Sequence, residues 1–305
     1  MALRKALRCL TAWALCIVLM LCISPAFGES TPLLYRVTDN DRHTLYLFGT
    51  VHACDESMYP LSAAVMEAFA DSDALAVEID LIALEEDKAL LQPYAAWAYC
   101  DEGESSRDVL GRRLFNQCAR VLGIKKKALQ SIRVQAIVSL LENKVVDAAA
   151  LSAAYGADRY LLLQARQQHK QVIELETVEE QYRLMYLISD RVAAWMVEGY
   201  VSDLPGAASA TRSVVEAWRQ GDEDTLLLLL TADEGAWPDG IADEMRAYQT
   251  QMYDERNARF AQGAAAFLEE NQTVFMAVGA GHLPGENGIL QRLENMGYTV
   301  EKIGH

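Results

Sequence analysis

The chain has 305 residues and a formal net charge of −16, from 43 acidic and 27 basic side chains. This acidic excess disfavours nucleic acids and anionic lipid surfaces as partners, and leaves neutral, cationic or metal-bearing ligands. The length suits one large α/β domain that can bury a sizeable core.

The first 28 residues have the features of a secretory signal peptide. Three basic side chains precede an apolar run from Cys9 to Ile23, and Ala26-Phe27-Gly28 forms a small-x-small cleavage pattern. The run is a little short of the roughly 20 residues that span a bilayer, so cleavage before Glu29 is favoured over an uncleaved anchor. Cleavage would leave residues 29–305 with a net charge of about −19. We therefore predict an exported protein (secreted, periplasmic or bound to the cell envelope) that contacts a membrane only if the signal is retained.

The cysteines provide little covalent support. Half of the six lie in the signal segment, which leaves Cys54, Cys100 and Cys118. An odd number makes no complete disulfide framework, and the sequence has no Cys-x-x-Cys pair for a structural zinc site. At most one bridge, between Cys100 and Cys118, is predicted.

Strand and helix patterns alternate through the first half of the mature chain. Apolar runs at 33–37 and 44–49 flank a polar turn and predict a β-hairpin. A helical pattern over 61–70 precedes a buried strand at 74–79, which contains one carboxylate, Glu78. Residues 84–168 are rich in helix formers and predict several consecutive helices.

The second half continues the alternation. A strand is predicted at 172–175, and the capping-box pattern Thr177-Val178-Glu179-Glu180 begins a helix. Further helices are predicted to break near Pro205-Gly206 and at 235–240, before a long polar helix over 242–270. The chain then predicts a strand at 273–278, a helix at 289–296 and a strand at 298–303. The order indicates an α/β fold with a largely parallel sheet flanked by helices and a large helical central insertion.

Two predicted strands end in the same short pattern, Gly-x-x-His. The copies are Gly49-Thr50-Val51-His52 and Gly279-Ala280-Gly281-His282. Ligands of open α/β sheets bind beyond the carboxyl ends of the strands, where these histidines fall. A single strand-end histidine is explained as well by bonds to loop carbonyls. Two copies, together with Glu78 on a third strand, favour one functional cluster.

Several segments, in order and separation, resemble the TraB/GumN family, relatives of the Tiki metalloproteases. Three carry most of the resemblance: TLYLFGTVH at 44–52, ALAVEID at 74–80 and VGAGHLPGENG at 278–288. Shorter matches are the Gly-x-Asp segment ending at Asp158, the Leu-Glu-Thr segment at 175–177 and the Arg-Asn segment at 256–257. The resemblance covers nearly the whole mature chain and indicates a single TraB/GumN-like domain over 29–305.

The resemblance implies that His52, Glu78 and His282 form one site, proposed in the Tiki branch to hold a divalent cation and to cleave peptides. Two imidazoles and one carboxylate would leave positions open for water and substrate on manganese, cobalt or zinc. Such a metal lowers the pKa of bound water and polarises a carbonyl. Arg256 is a further catalytic candidate, as an oxyanion donor or a partner of a carboxylate. Asp158 and Glu176 are predicted to be structural, as a turn or cap residue and a helix-dipole partner.

The leading prediction is a metal-dependent hydrolase, a peptidase, that acts outside the cytoplasm on a peptide or small molecule. Two alternatives use the same residues. A more distant similarity to erythromycin esterases implies a metal-free enzyme in which His52 is the general base. The runner-up to the leading prediction, ahead of the metal-free enzyme, is a non-catalytic protein that binds a metal, a peptide signal or a tetrapyrrole.

Overall fold

The computed structural model describes residues 32–231, 237–270 and 272–304. The predicted signal peptide lies outside these residues. Within them, every helix is too short or too polar to cross a membrane.

Six strands in the described residues form one mixed sheet. They are β1 (Leu34–Thr38), β2 (Thr44–Thr50), β3 (Ala74–Val77), β4 (Gln171–Glu174), β5 (Val274–Gly279) and β6 (Thr299–Lys302). Their order across the sheet is β4-β3-β5-β2-β1-β6. Strands β4, β3, β5 and β2 run parallel, whereas β1 pairs antiparallel with both β2 and β6. All of β3 and nearly all of β5 are buried, as expected for parallel strands covered by helices on both faces.

Helices connect the strands and make up most of the chain between β3 and β5. A π-helical turn, Thr250–Asp254, joins two of them, and a short 3-10 helix, Ala280–His282, follows β5. The α-helices of the described residues are α1 (Ala63–Ala70), α2 (Leu81–Glu86), α3 (Gln92–Ala95), α4 (Ser106–Leu122), α5 (Lys126–Leu129), α6 (Val134–Ala148), α7 (Ala157–Gln167), α8 (Val178–Met185), α9 (Asp190–Ser202), α10 (Leu204–Gln220), α11 (Glu223–Thr231), α12 (Ala242–Gln249), α13 (Glu255–Glu269) and α14 (Ile289–Asn295).

The central helices have an apolar cluster of their own. Phe115 of α4, Ile137 and Leu141 of α6 and Val192 of α9 are buried together, apart from the larger cluster that packs on the sheet. This second cluster gives the predicted helical insertion an independent core.

The observed elements confirm the predicted α/β fold with a helical insertion. The strand predicted at 74–79 ends at Val77, so Glu78 lies just beyond it. The predicted break near Pro205-Gly206 is confirmed, because α9 ends at Ser202 and α10 begins at Leu204, with Pro205 in its first turn, where the missing N–H is no loss. The break predicted at 235–240 lies partly outside the described residues. The three cysteines of the described residues, Cys54, Cys100 and Cys118, are free thiols, so the predicted Cys100–Cys118 bridge is not formed.

Candidate functional site

The four parallel strands each deliver one polar residue to the same edge of the sheet. His52 lies two residues after β2, Glu78 directly after β3, Glu176 two residues after β4 and His282 three residues after β5. Carboxyl ends of parallel strands meet at one edge, so topology alone brings these residues together. The structure thus places the predicted His52, Glu78 and His282 in one site and adds Glu176.

Gly279, the last residue of β5, lies where three of these side chains converge. A Cβ atom on Gly279 would lie 3.2 Å from Glu78 Oε1, 3.6 Å from Cδ2 of His282 and 3.7 Å from Nε2 of His52. The Gly279 N–H donates to Glu78 Oε1 at 2.6 Å. Its φ of −51° suits any residue. Glycine is needed here for close approach.

Arg256 of α13 is buried at the centre of the site. Its Nε donates to Glu176 Oε1 at 2.8 Å, and its Nη2 donates to Glu176 Oε2 at 2.7 Å and to Glu78 Oε2 at 2.5 Å. Its Nη1 donates to the Met252 carbonyl at 3.1 Å and to His282 Nε2 at 3.0 Å. A guanidinium has five N–H groups, and all are used. The oxyanion role predicted for Arg256 would require one of these bonds to break; as arranged, Arg256 positions two carboxylates and a histidine.

His282 is buried and electrically neutral. Because Arg256 can only donate, His282 Nε2 accepts, and the proton lies on Nδ1, which donates to Asn257 Oδ1 at 2.6 Å. Burial lowers the pKa of His282 to about 4; Glu78 opposes this shift and Arg256 adds to it. Asn257 is held in turn by a 2.9 Å bond from its Nδ2 to the Asn287 carbonyl.

His52 has a more open environment, with 68% of its side chain exposed. Its Nδ1 lies 3.1 Å from Oδ2 of Asp158, a buried residue in the first turn of α7. Asp158 raises the pKa of His52 above its usual range, and the negative charge of Glu78 adds to the shift. Water at the exposed face of the ring screens part of this attraction.

The backbone at Gly156 and Ala157 brings the start of α7 against the loop that follows β2 and carries His52. The Ala157 N–H at the start of α7 donates to the Val51 carbonyl at 2.9 Å. A Cβ on Gly156 would lie 2.6 Å from the His52 carbonyl oxygen, closer than real Cβ contacts. Gly156 therefore lets Asp158 reach His52.

Glu78 is ionised despite its position in the protein interior. Burial opposes its ionisation, but His282, His52, Arg256 and the Gly279 N–H outweigh this and lower the pKa of Glu78 to about 2. Since His282 is itself neutral at neutral pH, its contribution is absent there. Arg256 and the Gly279 N–H then keep Glu78 charged, and His52 adds to this only while its ring is protonated.

The side chains of His52, Glu78 and His282 do not fit a divalent metal cation as they are arranged. The lone pair of His282 Nε2 and one oxygen of Glu78 both accept from Arg256, a permanent cation. An ion ligated by His52, Glu78 and His282 would lie against that positive charge. Within the described ranges, no group of three or more His, Cys, Asp or Glu side chains is placed to hold a metal ion.

Two cavities meet at the site. Both are lined by Thr50, His52, Glu78 and Gln181. The first, of about 610 Å³, is also lined by apolar residues that include Val77, Ile79 and Leu81, and by the charged residues Glu85, Lys88, Asp158 and Arg159. The second, of about 460 Å³, includes Val146, Leu184, Val214, Leu226 and Leu230. A molecule that extends from one cavity into the other would pass His52 and Glu78.

The sequence model of the TraB/PrgY/gumN family matches residues 33–302. The chain belongs to the TraB/PrgY/gumN family. The uncharacterised family relative YbaP of Escherichia coli (strain K12) is 25% identical over 262 residues, which cover 86% of this chain and 92% of YbaP. The YbaP of Shigella flexneri has the same identity and coverage.

A second group of relatives carries an enzyme name. The protein named metalloprotease TIKI2 of Xenopus tropicalis is 24% identical over 304 residues, which cover 84% of this chain but 57% of TIKI2. No solved structure matches the chain. Membership of the TraB/PrgY/gumN family confirms the resemblance identified from the sequence, and the similarity to TIKI2 supports a hydrolase or protease.

Two site residues differ from their predicted roles. Asp158 and Glu176, predicted as structural, contact His52 and Arg256 within the site. Asp158 lies in the Gly-x-Asp segment and Glu176 in the Leu-Glu-Thr segment, both of which resemble the family. Their place in these segments is the sequence signal that could have identified them as site residues. Gln181 carried no such signal, although its amide donates to Glu78 Oε2 at 3.2 Å and to Glu176 Oε2 at 2.7 Å.

Proposed function

We propose that this chain is an exported hydrolase that cleaves peptide bonds, with His52 as the general base that activates water. The observation that carries the proposal is the His52–Asp158 pair. Above its raised pKa His52 is neutral, and an imidazole whose Nδ1–H is held by a buried carboxylate then has its Nε2 lone pair free to accept a proton. The peptide substrate is supported by the name metalloprotease that the TIKI2 relatives carry.

Glu78 supports the proposed proton transfer. Its Oε1 and the Nε2 of His52 both face the space over Gly279, so a water there would lie between an imidazole and a carboxylate. The negative charge of Glu78 stabilises the imidazolium that forms when His52 takes a proton. Arg256, Glu176 and Gln181 hold that carboxylate in place, and the imidazolium later protonates the leaving amine.

A divalent-cation enzyme is the second candidate. It is favoured by the name of the TIKI2 relatives and by the approach of two donors, His52 Nε2 and Glu78 Oε1, to the same space. It requires the side chain of Arg256 to release His282. Manganese, cobalt and zinc are the cations to test.

Hydrolysis of a mixed peptide library by the purified full-length gene product tests the proposal. We expect His52→Ala to lower kcat/KM by at least about 100-fold, the usual contribution of a general base. His43→Ala is the matched control, because His43 forms another His–Asp pair, with Nδ1 2.8 Å from Asp39 Oδ2, in the β1–β2 turn. The control should keep full activity.

The outcomes separate the hypotheses. Activity that survives strong chelation supports the His52 mechanism, whereas loss under chelation with recovery on adding manganese, cobalt or zinc selects the cation enzyme. Saturable peptide, metal or tetrapyrrole binding without turnover, lost in His52→Ala, would select the non-catalytic alternative.

Export is a separate part of the proposal. N-terminal sequencing of the protein recovered outside the cytoplasm is expected to begin at Glu29. An intact N-terminus in a membrane fraction would instead identify the segment as an anchor.

A further inference from the structure

Thr50, the last residue of β2, carries a buried hydroxyl. The residue is 2% exposed, and its Oγ1 finds no hydrogen-bond partner in the part of the chain that the structure describes. An unpaired buried hydroxyl destabilises a protein by about 1–3 kcal/mol. Folding alone would therefore favour valine, which has nearly the same shape.

Thr50 is a neighbour of Gly279 in the sheet, at the centre of the site. Thr50 pairs with Gly279 across the parallel strands β2 and β5, so both positions face the same side of the sheet. The space over Gly279 is the one that Glu78 Oε1 and His52 Nε2 face. Thr50 also lines both cavities of the site.

Peptide hydrolysis needs a hydrogen-bond donor for the carbonyl oxygen, which becomes negative as water adds. Three groups of donors at the site are engaged elsewhere. Arg256 uses all five N–H groups, the Gly279 N–H bonds to Glu78, and the Gln181 amide bonds to Glu78 and Glu176. The hydroxyl of Thr50 is uncommitted.

We infer that Thr50 is a catalytic residue whose Oγ1–H donates to the substrate carbonyl oxygen; the inference rests on the proposed function. Water oxygen bonds to the carbonyl carbon while His52 Nε2 takes the water proton. The C=O electron pair moves onto the oxygen, which Thr50 stabilises. That pair then re-forms the double bond, the C–N bond breaks, and the proton on His52 passes to the leaving amine.

The test compares Thr50→Val and Thr50→Ser with wild type. Loss of one oxyanion donor lowers kcat by about 10²–10³-fold, so we expect that fall in Thr50→Val with little change in KM. The thermal midpoint of Thr50→Val should be unchanged or higher, because an unpaired hydroxyl is removed. Thr50→Ser keeps the hydroxyl and should retain most of kcat.

Three results would overturn the inference. In the first, Thr50→Val keeps its kcat while His52→Ala is inactive, which leaves the proposed function standing without Thr50. In the second, Thr50→Val loses stability and activity together and Thr50→Ser recovers neither. In the third, Tyr253→Phe loses kcat while Thr50→Val does not, because the Tyr253 hydroxyl lies near Gly281 on the second cavity. An inactive wild type would instead refute the proposed function itself.

Discussion

The two Gly-x-x-His strand ends share a sequence pattern but have opposite surroundings. His52 is two-thirds exposed, has the carboxylate of Asp158 as its partner, and has a raised pKa. His282 is buried between an arginine donor and an asparagine acceptor, and its pKa falls to about 4. The pattern therefore sets where a histidine lies, whereas its partners decide its charge. The exposed His52 is suited to proton transfer, whereas the buried His282 is suited to a supporting role in the site.

The largest effect is expected from Arg256, which joins Glu78 to His282. Arg256→Met would leave Glu78 and Glu176 buried without a cation, and should lower the free energy of unfolding by about 3–5 kcal/mol in urea denaturation. Arg183→Met is the control, because Arg183 forms an exposed pair with Glu179 and should change stability by less than about 0.5 kcal/mol. Equal losses of stability in the two variants would show that Arg256 does not stabilise the buried side of the site through Glu78 and Glu176.

The pH dependence of stability separates the two histidines. Since the folded pKa of His282, about 4, is below the usual value near 6.5, the unfolded chain binds more protons between them. Stability is therefore present above pH 6.5 and lost as pH falls toward 4, by about 1.6 kcal/mol from pH 6.5 to 5.

Urea midpoints at pH 7, 6 and 5 provide the measurement. His282→Gln should flatten the decline below pH 6.5, because glutamine does not titrate. His52→Gln should not flatten it, because a raised pKa has the opposite sign: its stabilisation is present at low pH and is lost as pH rises through the folded pKa. Identical slopes in wild type and His282→Gln would contradict a buried neutral His282.

The next prediction concerns Asp158, the partner of the exposed histidine, His52. Asp158→Asn removes the charge that raises the pKa of His52, so the acid limb of the kcat/KM profile should move to lower pH. The high-pH plateau should fall by at least about tenfold, about 1.4 kcal/mol in the barrier, because the imidazolium loses its stabilising partner. Asp39→Asn, beside His43, should leave the profile unchanged. A limb that does not move would separate Asp158 from the titration of His52.

The smallest effect concerns α8, which carries Gln181 to Glu78 and Glu176. Thr177 accepts from the Glu180 N–H and completes a capping box at the start of this helix. Thr177→Ala should lower stability by about 1 kcal/mol in urea denaturation, whereas Thr177→Ser keeps the cap and should lose little. Equal losses would mean that the cap hydrogen bond is not the source of the effect.

Much of the fold could be predicted because its signals are local. The β-hairpin, the capping box at Thr177 and the final strand-helix-strand pattern each depend on neighbouring residues, and they were located within a few positions. The end of β3 was less certain, because an apolar run does not mark where pairing stops. The π-helical turn before Arg256 left no periodic signal in the polar stretch over 242–270.

By itself, the sequence determined that polar residues follow several strands of a mostly parallel sheet, and so that His52, Glu78 and His282 meet at one edge. Tertiary structure alone decided their partners: Asp158 is 106 residues from His52, and Arg256 is 178 residues from Glu78. It also decided that Arg256 lies buried at the place where the resemblance implied a divalent metal ion. Spacing along a chain fixes local geometry, but charge and burial depend on which distant segments pack together, and no local pattern encodes that.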